Sequence, residues 1–202
     1  MSPDKYKSYQ SLKDSELQNA DYEILYSSRP SKYIVMAPHG GGIEPGTTEI
    51  AEAIAGDTFS FYSFSGTKEK GNKVLHIASE RFDEPIGLTL VKSSGTAVTV
   101  HGCEGNDQYV CLGGLNDELV EKISASLKKA GFPVKEEVQS HLAGKQPNNI
   151  CNRSKEGKGV QIEISHGLRK LMIKGMNRTE RKERTGKFVV FIQAIQDVLS
   201  NY

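Results

Sequence analysis

The sequence predicts a single α/β domain, residues 1–202, with a mixed central sheet flanked by helices. Three observations carry this reading. Short β-branched or aromatic runs alternate with amphipathic stretches; no internal repeat or low-complexity linker divides the chain; and 202 residues is one domain's worth at roughly 100 to 200 per domain. Some connections are too short for a crossover helix, so part of the sheet is expected to be antiparallel.

The elements follow in order. Residues 1–30 form a polar leader, packed on the domain or loosely attached to it. Tyr33–Ala37 is a β-prone run that stops at Pro38. His39, three glycines and Thr47-Thr48 then open a helix to Ala55, with Gly56 as its stop. Phe59–Phe64, Val74–Ala78 and Thr96–His101 read as strands. The clearest helix has Asn116 as N-cap, Leu119, Ile123, Leu127 and Ala130 on one face, and Gly131 closing it. Val134–Val138 is expected as a strand, 139–159 as an irregular polar loop, Val160–Ser165 as a strand and Phe188–Leu199 as a terminal amphipathic helix.

With 37% hydrophobic and 25% charged residues the composition is that of a globular protein. No apolar run approaches the roughly 18 to 20 residues that cross a bilayer, so no membrane partner is expected. Met1–Gln10 is polar with no hydrophobic segment, so no export signal is expected in this stretch, which leaves the place of action open. Cys103, Cys111 and Cys151 lack C-x-x-C spacing and read as buried small side chains. The net charge of +1 hides an asymmetry: residues 1–144 carry 14 Lys and Arg against 20 Asp and Glu, residues 145–202 carry 12 against 5. A basic C-terminal third points either to an anionic partner or to a solvated helix face.

In α/β sheets ligands collect at the carboxyl ends of strands, where His39, His101 and Glu163 fall. The run Pro38-His39-Gly40-Gly41-Gly42-Ile43-Glu44-Pro45-Gly46-Thr47-Thr48-Glu49 places an imidazole and a carboxylate five residues apart across a glycine turn. With His101 on a separate strand these make a three-ligand candidate set for catalytic zinc, which needs three protein donors and an open position. A phosphate loop is disfavoured, because Thr47 stands where its lysine belongs and Glu44 would sit in the cradle; a dinucleotide fingerprint fails on spacing. His76 and His141 have no such companions and read as structural. Glu163, between Ile162 and Ile164, is either a desolvated carboxylate suited to general-base work or a solvent-facing strand residue. Asn152-Arg153 offers a guanidinium for a substrate carboxylate or an oxyanion. No nucleophile elbow is present.

These motifs together resemble the γ-polyglutamate hydrolases of bacilli and their phages. The resemblance runs on through Arg81-Phe82-Asp83-Glu84-Pro85, Val100-His101-Gly102, Gly113-Gly114-Leu115-Asn116, Asn148-Asn149-Ile150-Cys151-Asn152-Arg153 and Gly157-Lys158-Gly159-Val160-Gln161-Ile162-Glu163-Ile164-Ser165. It implies a carboxypeptidase-like core, one zinc ion held by His39, Glu44 and His101, and Glu163 as general base. It further implies internal cleavage of poly-γ-glutamate, a polyanion of capsules and biofilms, with Asn152 and Arg153 gripping its carboxylates. Arg169, Lys170 and Lys174 are expected contacts along a basic groove, and His166 a substrate ligand or proton relay. The polymer lies outside cells, so extracellular action after secretion or lysis is expected, by a monomer. A zinc amidase acting on another γ-linked substrate, such as a peptidoglycan stem, is the alternative. A nucleic-acid binder is disfavoured, since the chain has no Trp and residues 169–187 have no interleaved aromatics.

Overall fold

The computed structural model describes residues 4–136 and 138–202. Seven strands form one mixed sheet: β1 (Tyr22–Ser27), β2 (Tyr33–Gly41), β3 (Ser60–Gly66), β4 (Thr96–Cys103), β5 (Val110–Gly113), β6 (Val134–Lys135) and β7 (Val160–Ser165). Their spatial order is β1-β3-β2-β4-β7-β5-β6. β3, β2, β4 and β7 run parallel; β1 pairs antiparallel to β3 and β5 antiparallel to β7. Among the described residues six α-helices flank them: α1 (Tyr9–Lys13), α2 (Thr47–Ala55), α3 (Pro85–Ser93), α4 (Asp117–Lys129), α5 (His166–Met172) and α6 (Gly186–Asn201). The expected α/β domain with a partly antiparallel sheet is what forms.

β2 shows why the centre of the sheet is apolar on both faces. Tyr33, Val35 and Ala37 face the core built with α2, α4, α5 and α6, while Ile34 and Met36 face a second core with Leu12, Tyr62, Phe64, Leu75, Ile77, Phe82 and Ile150. A central parallel strand covered by helices and loops on both faces leaves no room for alternation with polar residues. The leader is part of this second layer, since Tyr6, Tyr9, Leu12 and Tyr22 are all buried.

Several expectations are corrected. Val74–Ala78 is not a strand: Asn72–Leu75 forms a 3-10 turn, and the backbone beyond it is used elsewhere. The Ile77 carbonyl accepts from His39 and the Ala78 N–H donates to Asp4, so neither is free for a ladder. Val134–Val138 pairs only over Val134–Lys135, against Val110–Cys111; residue 137 lies outside the described residues. β1, β5, α1, α3 and α5 were not anticipated. α3 has clear local determinants, Pro85 in its first turn and the Glu84 carboxylate accepting from the N–H groups of Ile86 and Gly87. α4 is as expected, with the Asn116 side chain capping Leu119 N–H and Gly131 in the left-handed region at φ 84°.

The charge asymmetry is resolved inside the fold. Arg178, Arg181 and Arg184 pair with Glu23, Glu49 and Glu52 of β1 and α2, and Lys174 pairs with Glu183 at 2.6 Å. Much of the basic C-terminal third therefore clasps the acidic N-terminal half. The Arg181–Glu49 pair is the buried one, 3.0 Å long, with Arg181 also donating to the Met176 carbonyl. Arg181→Ala would leave Glu49, one of whose oxygens already has no partner among the described residues, buried and uncompensated. We expect a loss of about 3–5 kcal/mol, read as a lower urea midpoint at unchanged slope.

Candidate functional site

β2 and β4 are adjacent and parallel, so their carboxyl ends deliver His39 and His101 to one edge of the sheet. The chain leaves β2 through a turn that returns Glu44 to the same point, its N–H bonded to the His39 carbonyl. Gly41 makes this turn possible: its φ is 63°, and a Cβ there would meet the Gly66 carbonyl at 2.4 Å. His39 Nδ1 lies 3.2 Å from Glu44 Oε1 and 3.2 Å from His101 Nδ1. One ligand atom from each of the three lies within 4.8 Å of the others, as a shared metal ion requires.

The proton inventory tests this set for a cation. His39 Nε2 donates to the Ile77 carbonyl at 2.8 Å, which can only accept. A neutral His39 therefore presents a lone pair at Nδ1, facing a carboxylate oxygen and another imidazole nitrogen. Lone pairs converge only where a proton or a cation lies between them. The electrostatics agree. Burial works against charge on His39, but Glu44 beside it outweighs burial and raises its pKa. Burial likewise opposes the Glu44 carboxylate, yet His39, His101 and the Gly102 N–H hold it down at about 2. Burial presses His101 to about 3, so it is neutral. In the metal-free site the ionised Glu44 favours a proton on His39, and a cation in that proton's place would leave an ionised carboxylate with neutral imidazoles, the state that binds a divalent metal; nitrogen with oxygen donors suits zinc.

Glu163 lies on β7 directly opposite His101 in the parallel ladder, hence on the same face. It is 5% exposed, which selects the desolvated reading over the solvent-facing one. Burial, reinforced by Glu44, pushes its carboxyl well above the usual carboxylate range, and Gln161 Nε2 donates to its Oε1 at 3.0 Å. Glu44, His101 and Glu163 are thus buried close enough to influence one another's charge, and low dielectric strengthens that influence.

The remaining expected contacts divide. Arg153 is half-buried, with Nη1 donating to the Phe82 carbonyl at 2.7 Å and other N–H groups left over. His166 is half-buried at the start of α5, and Lys170 and Lys174 are exposed. Two assignments are corrected. Asn152 is buried and spends all its capacity on backbone: Oδ1 accepts from Leu115 and Gly159, and Nδ2 donates to the Gly144 and Gln146 carbonyls. It ties the chain at Leu115, Gly144–Gln146 and Gly159 together and has no group left for a substrate carboxylate. Arg169 is 4% exposed, its guanidinium bonded to the carbonyls of Ile164, Pro45 and Cys103. It lies against Gly102, where a Cβ would come within 2.6 Å of its Cζ. Arg169 therefore braces the Glu44 turn and the end of β4 and does not line a groove.

All three cysteines are free and buried, as expected. The side chain of His141 lies outside the described ones. His76, read as structural, instead belongs to the site, its ring centroid 4.0 Å from that of His39. Its anchor, Asp4, is 72 residues away, a separation that carries no spacing signal in a single sequence.

A family model described as poly-gamma-glutamate hydrolase matches residues 6–194. Two UPF0714 proteins of Bacillus subtilis (strain 168), YndL and YmaC, are 39% and 34% identical over 168 and 200 residues, 83% and 98% of this chain. The chain spans 66% of YndL, just under two thirds of its length, and 84% of YmaC. A solved bacteriophage poly-gamma-glutamate hydrolase is similar at TM-score 0.94 and 32% identity, over 99% of this chain and 98% of that one. A zinc-free apo form of YndL is similar at TM-score 0.94 and 35% identity, over 98% of each chain. With the model spanning nearly the whole sequence and these relatives matching along most of it, the chain belongs to the poly-gamma-glutamate hydrolase family.

Proposed function

We propose that the protein is a zinc-dependent endo-hydrolase that cleaves γ-glutamyl amide bonds within poly-γ-glutamate. The observation that carries this is the convergence of His39 Nδ1, His101 Nδ1 and Glu44, with Glu163 across the ladder from His101. His39, His101 and Glu44 would hold the ion. When bound, zinc supplies a Lewis acid that lowers the pKa of water and polarises an amide carbonyl. Glu163 takes the proton from the attacking water as the carbon–oxygen bond forms, and gives it to the departing nitrogen as the carbon–nitrogen bond breaks. Products are a γ-carboxylate and a new α-amine. Arg153 binds a neighbouring α-carboxylate through the N–H groups that Phe82 leaves free, fixing the amide against the centre. Exposed Lys170 and Lys174 add positive potential for a polymer with one carboxylate per residue. We further propose that the enzyme acts as a monomer on extracellular polymer, reached by secretion or lysis.

Size-exclusion profiles of long poly-γ-glutamate test the reading. The zinc-loaded protein is expected to lower the mean mass early, with few new amines, as internal cuts do. Chelation should stop this and zinc restore it. Polymer left whole by zinc-loaded protein would overturn the proposal, and cleavage confined to peptidoglycan stems would replace the substrate.

A further inference from the structure

Asp4, just upstream of α1, reaches across to the site and organises a third imidazole. Its Oδ1 lies 2.7 Å from His76 Nδ1. Its Oδ2 accepts from the Ala78 N–H at 2.9 Å and from Arg81 Nη2 at 3.0 Å. Three donors surround one carboxylate, so Asp4 is acceptor only and the His76 proton resides on Nδ1. The neutral ring then presents a lone pair at Nε2.

That nitrogen lies 4.0 Å from Glu44 Oε1, and its ring leans over His39 at a 37° tilt. His76 is outside the convergent trio, yet it is the imidazole that an arriving ligand meets. Its side chain is 30% exposed, against 3% for both His39 and His101. A γ-linked glutamate chain offers carboxylates, carbonyl oxygens and one backbone donor per residue, the amide N–H. A lone pair repels the first two and pairs with the third.

We propose that His76, positioned by Asp4, is a substrate-binding residue whose Nε2 accepts the N–H of the scissile γ-amide, selecting amide over ester; this rests on the poly-γ-glutamate reading above. Arg153 and the lysines recognise the acceptors of the polymer, and His76 its donor. Holding the amide by its N–H fixes which face the carbonyl turns toward Glu163.

The test compares kcat/KM on a γ-glutamyl oligomer and on the matched oligomer carrying an ester at the cleaved linkage, using zinc-loaded wild type, His76→Ala and Asp4→Asn. Zinc content is measured alongside by mass spectrometry. His76→Ala is expected to lose about 10-fold on the amide, the worth of one hydrogen bond, and nothing on the ester, with zinc retained. Asp4→Asn should reproduce the pattern, because an asparagine NH₂ facing Nδ1 favours the tautomer protonated at Nε2. Equal losses on both substrates would overturn the proposal, as would loss of zinc, which would make His76 a ligand. Wild type that cleaves neither oligomer would instead overturn the underlying function.

Discussion

Glu163→Gln is expected to lower kcat on poly-γ-glutamate by about a hundred- to ten-thousand-fold, the range spanned by removal of a positioned proton carrier. Metal content should stay at the wild-type level, because Glu163 is not one of the three convergent ligands. The substitution is nearly isosteric, and the new amide carbonyl can still accept from Gln161. What disappears is the capacity to take a proton. Since burial already disfavours the charged form of Glu163, a neutral amide there should leave the melting temperature unchanged or higher. Metal analysis, amine release and a thermal melt on one preparation separate these effects. A variant with full turnover would remove Glu163 as the base, and one that loses metal would make it a ligand.

His101→Ala is expected to abolish both stoichiometric zinc and activity. His101 Nε2 has no hydrogen-bond partner among the described residues, so truncation orphans nothing there. His39→Ala, by contrast, strips the Ile77 carbonyl of its donor. The metal-free melts should therefore rank His101→Ala closer to wild type. Zinc at 100 times its dissociation constant stabilises a folded protein by about 2.7 kcal/mol, and that increment should vanish in both variants. A His101→Ala protein that still melts higher with zinc would show that the ion is held elsewhere.

The cluster of His39, Glu44 and His101 was legible because two of them lie five residues apart in a conspicuous glycine turn and the third ends a recognisable strand. The strands and helices with strong local signals were legible too: β2, β4, β7, α2, α4 and α6. What stayed hidden depended on distant chain. The extended backbone after Leu75 satisfies Asp4 and His39 instead of a sheet, and β5 is four residues that become a strand only between β7 and β6. Asn152 and Arg169 show a different limit. Their residue types suit carboxylate binding, and only their burial and their bonds to carbonyls and N–H groups of distant chain reveal that they hold loops in place.

The position of β7 between β4 and β5 also sets an order of events during synthesis. β4 is complete at Cys103, but the strand that covers its far edge begins at Val160. At roughly 5–20 residues per second, the ribosome needs about 3–11 s to supply the intervening chain. Throughout that interval the nascent protein carries His39, Glu44 and His101 beside an open, apolar strand edge, the kind of template that invites pairing with another chain. Glu163, the proposed base, arrives on the strand that closes this edge. Placement of Glu163 beside His101 and protection from aggregation are therefore one event, and any lesion that delays the docking of β7 should be seen first as insolubility.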